Sequence, residues 1–301
     1  MNEIPVKIAI IGGTGLGEAL CGQDGHVREI QTPFGSPSSP LLLSKWGDLE
    51  IIILQRHGPG HLLNPSQVPY RANLFALKTL GVTHILASGA TGSLQEQIAP
   101  GDLVIVDQVI DKTYRRVNTF FEAAAVHVEF AEPFCPLMRS WLLKAANVLR
   151  EGGREVKVHG RGTYVCMEGP AFSTRAESLM HRGWGGDLIG MTAMPEAKLA
   201  REAEMAYALV GLPTDYDCWR PHDPHTSPQA LLKEIQGNLQ TATTNSIALI
   251  KAALADVSLL RASPSPAHSA LTMAIWSDKS SISSTELERL EVLWGRCFSQ
   301  S

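Results

Sequence analysis

The chain has 301 residues, 44% of them apolar, enough to bury a large core as one big α/β domain or two small ones. Its net charge of −4, with acids and bases interspersed, argues against a nucleic-acid surface, and no apolar stretch is long enough to span a bilayer. Cys21, Cys135, Cys166, Cys218 and Cys297 are scattered and never form a C-x-x-C pair, which suits reduced thiols in a cytoplasm and speaks against structural zinc.

In chain order, a β-rich apolar run predicts a strand over Val6–Ile11. It closes on Gly12-Gly13-Thr14-Gly15-Leu16-Gly17. Glycines there allow a tight turn and bring backbone N–H groups to an anion, and Thr14 adds a hydroxyl donor. The spacing falls short of G-x-G-x-x-G, and the next region, Thr32–Pro40, is rich in Pro, Ser and Gly with no strand closing on an acid. A phosphate-binding turn is therefore preferred to a dinucleotide site. The strand Glu50–Leu54 leads into Arg56-His57-Gly58, where the guanidinium fork matches two phosphate oxygens and the histidine adds a donor. A surface basic pair is the plainer alternative. A helix over Ala72–Leu80 precedes the strand His84–Ser88, which opens into Gly89-Ala90-Thr91-Gly92-Ser93.

A strand over Leu103–Val109, a helix over Phe134–Leu149 and a strand over Gly162–Met167 come next. Glu168 could accept ribose or base hydrogen bonds, and Phe172 could stack on a planar ring; alone, each also fits an ion-pair or core role. Thr174 and Glu177 form a capping box for a helix over Arg175–Arg182. The strand Leu188–Met191 reaches Thr192, and Pro195 suits the first turn of a helix to Glu204. The run Ala206–Leu212, stopped by Pro213, presents Asp215 and Asp217. Two residues apart in extended chain, they can face one ligand, accepting N–H bonds or donating a proton; a solvated turn would carry the same letters. A long helix runs from about Ser227 to Ala255, and Ala262-Ser-Pro-Ser-Pro266 marks a soft boundary. The segments beyond it, His268–Ile275 and Thr285–Leu293, are too short to fold alone and should pack on the main body or a partner subunit.

The alternation predicts an α/β fold with a mostly parallel sheet covered by helices and loops gathered at strand ends. Several strand ends offering Gly, Thr, Arg and His converge on an oxyanion, phosphate above all. No histidine lies in a metal-ligand spacing, so no metal is expected.

Gly12-Gly-Thr-Gly15, Arg56-His-Gly58, Ala131-Glu-Pro-Phe-Cys-Pro136, Glu168-Gly-Pro-x-Phe-Ser173, Met191-Thr-x-x-Pro-Glu196 and Thr214-Asp-Tyr-Asp-Cys-Trp219 occur in the order seen in purine nucleoside phosphorylases. The chain resembles that family over about residues 5–255, and the Thr214–Trp219 block resembles its 5′-methylthioadenosine phosphorylase branch. The resemblance implies a nucleoside phosphorylase domain over 1–255, a mixed central β-sheet flanked by helices, with 256–301 as a helical tail. It implies phosphorolysis of 5′-methylthioadenosine to adenine and 5-methylthioribose 1-phosphate, with no cofactor beyond the co-substrate phosphate. Adenosine, inosine or guanosine is the alternative substrate, and an NAD-dependent reductase built on the first glycine turn a remote alternative. By position it puts Thr14, Arg56, His57, Ala90 and Thr192 on phosphate, and Phe172, Met191 and Glu168 on sugar and base. Asp215 would bond N7, assisted by Asp217 at the amino group. Pro228, Leu231 and Leu232 would line a 5′ pocket, completed by His127 lent from the next subunit of a homotrimer.

A protonated Asp215 would act as general acid, a role typically worth roughly 10²–10⁴-fold. A neighbouring carboxylate raises one pKa of such a pair. Two positions depart from the methylthioadenosine pattern: Gly190, where that branch usually carries Asn and the 6-oxopurine relatives Gly, and Gly89, which lacks a hydroxyl.

Overall fold

The computed structural model describes residues 5–12, 25–221 and 226–298. Eleven strands form one sheet: β1 (Ile8–Gly12), β2 (His26–Arg28), β3 (Leu41–Trp46), β4 (Leu49–Gln55), β5 (His84–Ser93), β6 (Leu103–Ile105), β7 (Gln108–Lys112), β8 (Val158–His159), β9 (Thr163–Met167), β10 (Leu188–Gly190) and β11 (Ala206–Asp215). Five helices are α1 (Tyr70–Thr79), α2 (Pro136–Glu151), α3 (Arg175–Gly183), α4 (Ala193–Glu202) and α5 (Pro228–Leu254). Strand β5 is the junction. It runs parallel to β1 on one side and β11 on the other, and its last two residues pair antiparallel with β10. The sheet is therefore mixed.

The apolar runs are continuous rather than alternating because both faces of the inner strands are covered. Ile8, Ile10, Ile51, Ile53 and Leu86 pack with Trp141 of α2 and Leu249 of α5. Ala9, Ile11, Ile52, Leu54 and Ile85 pack with Leu74 of α1 and Ala197 of α4 on the opposite face. Thr174 caps α3 with the expected reciprocal bonds to Glu177, and the regular turns of α4 begin at Pro195 because Met194 is extended.

Three expectations need correction. Pro213 does not stop its strand: β11 continues through it, opposite Thr91, and its carbonyl accepts the Gly101 N–H at 2.9 Å. Proline lacks only a donor, so a position bonded through its carbonyl tolerates it. The register slips just beyond, leaving Thr214 as an extra residue and setting Asp215 opposite Gly92. Second, Leu103–Val109 is two elements, since β6 pairs with β11 and β8 whereas β7 pairs with β9. Third, the edge strand β2 and its neighbour β3, neither of them among the predicted strands, flank the Pro/Ser-rich stretch.

The tail carries α6 (Ser258–Ala262), α7 (Ser284–Arg289) and α8 (Glu291–Trp294). Its Leu271, Leu290 and Trp294 join the same buried cluster as α1, and the Trp294 ring lies 4.8 Å from Phe121.

Candidate active site

The carboxyl end of β4 delivers Arg56, whose backbone N–H still reaches the Gly12 carbonyl (3.2 Å) at the end of β1. The side chain then turns into the protein, where it is 2% exposed. Glu196 of α4 grips it with two bonds, Nε to Oε2 at 2.8 Å and Nη2 to Oε1 at 2.9 Å, and Nη1 donates to the Ser88 carbonyl at 2.9 Å. The Tyr207 hydroxyl adds a bond to Glu196 Oε1 (2.8 Å). Burial works against the cation, but the Glu196 charge and hydrogen bonds outweigh it and hold the guanidinium above its usual range. Three of its five N–H groups are thereby committed, leaving two for an incoming anion.

Gly89 shows where that anion would lie. A Cβ added to it would stand 3.5 Å from Thr192 Oγ1 and 3.8 Å from Arg56 Nη1, so hydroxyl and guanidinium face one small space over the β5 backbone. Ala90 is exposed beside it. Thr14 lies outside the described residues. His57 differs from expectation. Its Nδ1 is 2.8 Å from the Leu63 carbonyl, which can only accept, so Nδ1 carries the proton and Nε2 of the neutral ring is an acceptor. Burial lowers its pKa; the Leu63 bond opposes that and nearby Arg56 reinforces it. Toward an anion, the neutral side chain supplies no donor through Nε2.

Three residues further along β5, about 10 Å of strand, sits the acidic pair. A Cβ on Gly92 would fall 3.2 Å from Asp215 Oδ1 and 3.1 Å from Asp217 Cβ, a close approach that glycine permits. Asp215 accepts the Asp217 N–H on Oδ1 (2.8 Å) and the Thr214 hydroxyl on Oδ2 (2.7 Å). Asp217 adopts φ 49° and accepts the Ser178 hydroxyl of α3. Burial, then the Asp215 charge, raises the Asp217 pKa despite that bond. Burial thus pushes Asp217 toward its protonated form, whereas the sequence reading names Asp215 as the protonated acid. Asn238 of α5 bonds the Thr214 carbonyl (2.9 Å), and Trp219 Nε1 bonds that of Ser93 (2.8 Å), fixing the loop at both ends.

Glu168 also departs from expectation. Its Oε1 accepts from Ser66 (2.5 Å) and Arg116 Nε (3.2 Å), and its Oε2 from the backbone N–H of Tyr114 (2.8 Å) and Arg115 (3.2 Å). Burial opposes its charge, yet these donors hold its pKa down at about 2. With two bonds on each oxygen it is a fastener of the 113–121 loop and has no free lone pair for a ribose. Arg116, which no motif marks, reaches from that loop to the carbonyls of Glu168 (2.6 Å), Met191 (2.5 Å) and Met194 (2.6 Å). Phe172 is 85% exposed, and the next carbonyl, Ser173, accepts from Cys218 Sγ at 3.2 Å, so this loop borders the acidic pair. Pro228, Leu231 and Leu232 lie on the open first turns of α5. His127 is exposed, its ring 4.9 Å from that of Trp276.

A mixed sheet whose strand ends set an anion cradle beside a pair of carboxylates is the layout of a phosphorolytic transferase. The chain belongs to the phosphorylase superfamily, whose model matches residues 7–255. It is 45% identical to the S-methyl-5'-thioadenosine phosphorylase of Thermosynechococcus vestitus, over 95% of this chain and 97% of that protein. The Geobacter sulfurreducens protein of the same name is 44% identical over 96% and 98%. Among solved structures, a methylthioadenosine phosphorylase from an antarctic soil metagenomic library superposes with a TM-score of 0.87 at 44% identity, covering 96% of this chain and 98% of that one. A double mutant of the Schistosoma mansoni adenosine/methylthioadenosine phosphorylase, in complex with adenine, gives 0.79 at 36% identity, covering 91% and 100%. This membership leaves no place for the nicotinamide alternative.

Proposed function

We propose that the protein cleaves the N-glycosidic bond of 5′-methylthioadenosine with orthophosphate, releasing adenine and 5-methylthioribose 1-phosphate. The observation that carries this is the end of β5, where Gly89 is faced by Arg56 and Thr192, and Gly92 by Asp215 and Asp217. Phosphate held by the two free Arg56 N–H groups, Thr192 and the Ala90 backbone, with Thr14 from the first glycine turn, brings negative charge to the oxocarbenium-like sugar. Holding both reactants in line supplies the entropic share. At the other end the acidic pair engages the adenine edge: Asp215 meets N7 as the acid, and Asp217 the amino side. Carboxylates favour an amino substituent over a 6-oxo group, which is a second acceptor. Met191 backs the sugar and Phe172 covers the base.

We also infer a homotrimer acting in the cytoplasm, in which His127 closes a neighbour's 5′ site. Support comes from the exposed strip that His127 shares with Trp276, itself 73% exposed. The open apolar residues Pro228, Leu231 and Leu232 suit a methylthio group, because a charged 5′ substituent there would be left unpaired. Among the described residues no helix is long and apolar enough to cross a membrane.

The test compares methylthioadenosine, adenosine and inosine, each with and without phosphate, and follows the freed base. Phosphate-dependent release, fastest from methylthioadenosine, is expected. Release at full rate without phosphate would make the protein a hydrolase, and a preference for inosine would overturn the role of the acidic pair.

A further inference from the structure

Gly190 is explained by its neighbour. β9 and β10 run parallel with Leu188 opposite Tyr164 and Gly190 opposite Cys166, so the side chains of 164 and 188 share a face with position 190. The Tyr164 ring lies forward along that face. A Cβ on Gly190 would meet Tyr164 Oη at 2.0 Å and Cζ at 2.6 Å, far inside contact distance. Tyr164 is 2% exposed and held in the core, so its ring cannot swing clear. The phenol therefore fills the volume that a side chain at 190 would take, and glycine at 190 follows from packing alone.

The buried hydroxyl also has a specific partner. It accepts the Thr192 backbone N–H at 3.3 Å. Thr192 sits just before α4 with φ −125° and ψ −10°, where no helical carbonyl receives its N–H. Burial keeps the phenol well above its usual range, so it stays protonated. Thr192 is the residue whose Oγ1 faces Arg56 across Gly89.

We propose that Tyr164 is a positioning residue of the phosphate subsite: it occupies the space left by Gly190 and, through the Thr192 N–H, aims the Thr192 hydroxyl at the anion bound by Arg56. The proposal rests on the phosphorolysis set out above. Tyr164 and Gly190 then form one unit, exchangeable only together.

Steady-state kinetics of Tyr164→Phe, varying phosphate and methylthioadenosine separately, test the aiming. The ring stays and one hydrogen bond goes, so KM for phosphate should rise about five- to tenfold, with KM for the nucleoside within about twofold. An unchanged phosphate KM, or equal rises in both, would overturn the proposal. Thermal melts of Gly190→Ala in the wild-type and Tyr164→Leu backgrounds test the shared volume. Alanine should lower Tm sharply beside tyrosine, or prevent folding, and do little beside leucine. Equal losses in both would also refute it. A wild-type enzyme indifferent to phosphate would instead defeat the underlying function, so the two failures are distinguishable.

Discussion

Asp215→Asn separates chemistry from folding at the leaving-group end. The asparagine can keep Oδ1 on the Asp217 N–H and turn Nδ2 toward Thr214. The Thr214 hydroxyl can swing its proton to the Thr91 carbonyl, 3.4 Å away, and accept from that amide instead. No buried group is stranded, so stability should change by under about 1 kcal/mol. For 301 residues the unfolding entropy is about 0.6 kcal/mol/K, which makes this less than about 2 °C in Tm. An amide cannot deliver a proton to N7, so turnover should fall roughly 10²–10⁴-fold, about 2.7–5.5 kcal/mol of barrier. Adenine release at saturating phosphate, with a thermal melt of the same sample, reads both. Turnover within about threefold of wild type would refute the acid role, and a Tm loss above about 5 °C would show that Asp215 is structural.

Glu196→Gln should leave Arg56 as a buried cation with half its partner, costing about 3–5 kcal/mol, or roughly 5–8 °C by the same entropy, and it should raise KM for phosphate. A shift under about 2 °C in differential scanning calorimetry would contradict this. Burial, offset only in part by the Phe120 N–H and the Thr119 hydroxyl, pushes Glu202 from an ordinary 4.5 up to about 7. The folded state then holds this proton more tightly than the unfolded chain. Its contribution is full below pH 4.5 and lost as pH rises through about 7, a change of about 3 kcal/mol. Urea midpoints should fall across that window in wild type and flatten in Glu202→Gln; parallel slopes would remove Glu202 as the cause.

The legible parts of the site follow apolar runs directly. Arg56 and Thr192 come just after a buried strand and Asp215 ends one, the strand-end positions where ligand-binding side chains gather in such folds. Their partners were hidden for equally physical reasons. Glu196 stands inside a helix, where glutamate is usually solvated, and only the tertiary fold brings α4 against the end of β4. Arg116 belongs to a basic pair in a loop, with nothing local to mark a cation that draws together Glu168, Met191 and Met194. Glu168 was visible as a carboxylate, but its four donors come from residues 66 and 114–116, beyond any local pattern. Proline at 213 reads as a terminator, whereas the sheet needs only its carbonyl.

The segment beyond residue 255, which the superfamily model leaves unmatched, has a reach out of proportion to its size. Trp294 leans on Phe121, at the end of the very loop from which Arg116 braces the Glu168, Met191 and Met194 carbonyls, while Arg296 and the Leu271 N–H both moor to Glu204 after α4. The tail thus acts as a buttress behind that loop, so shortening it would loosen contacts that lie far from it in sequence.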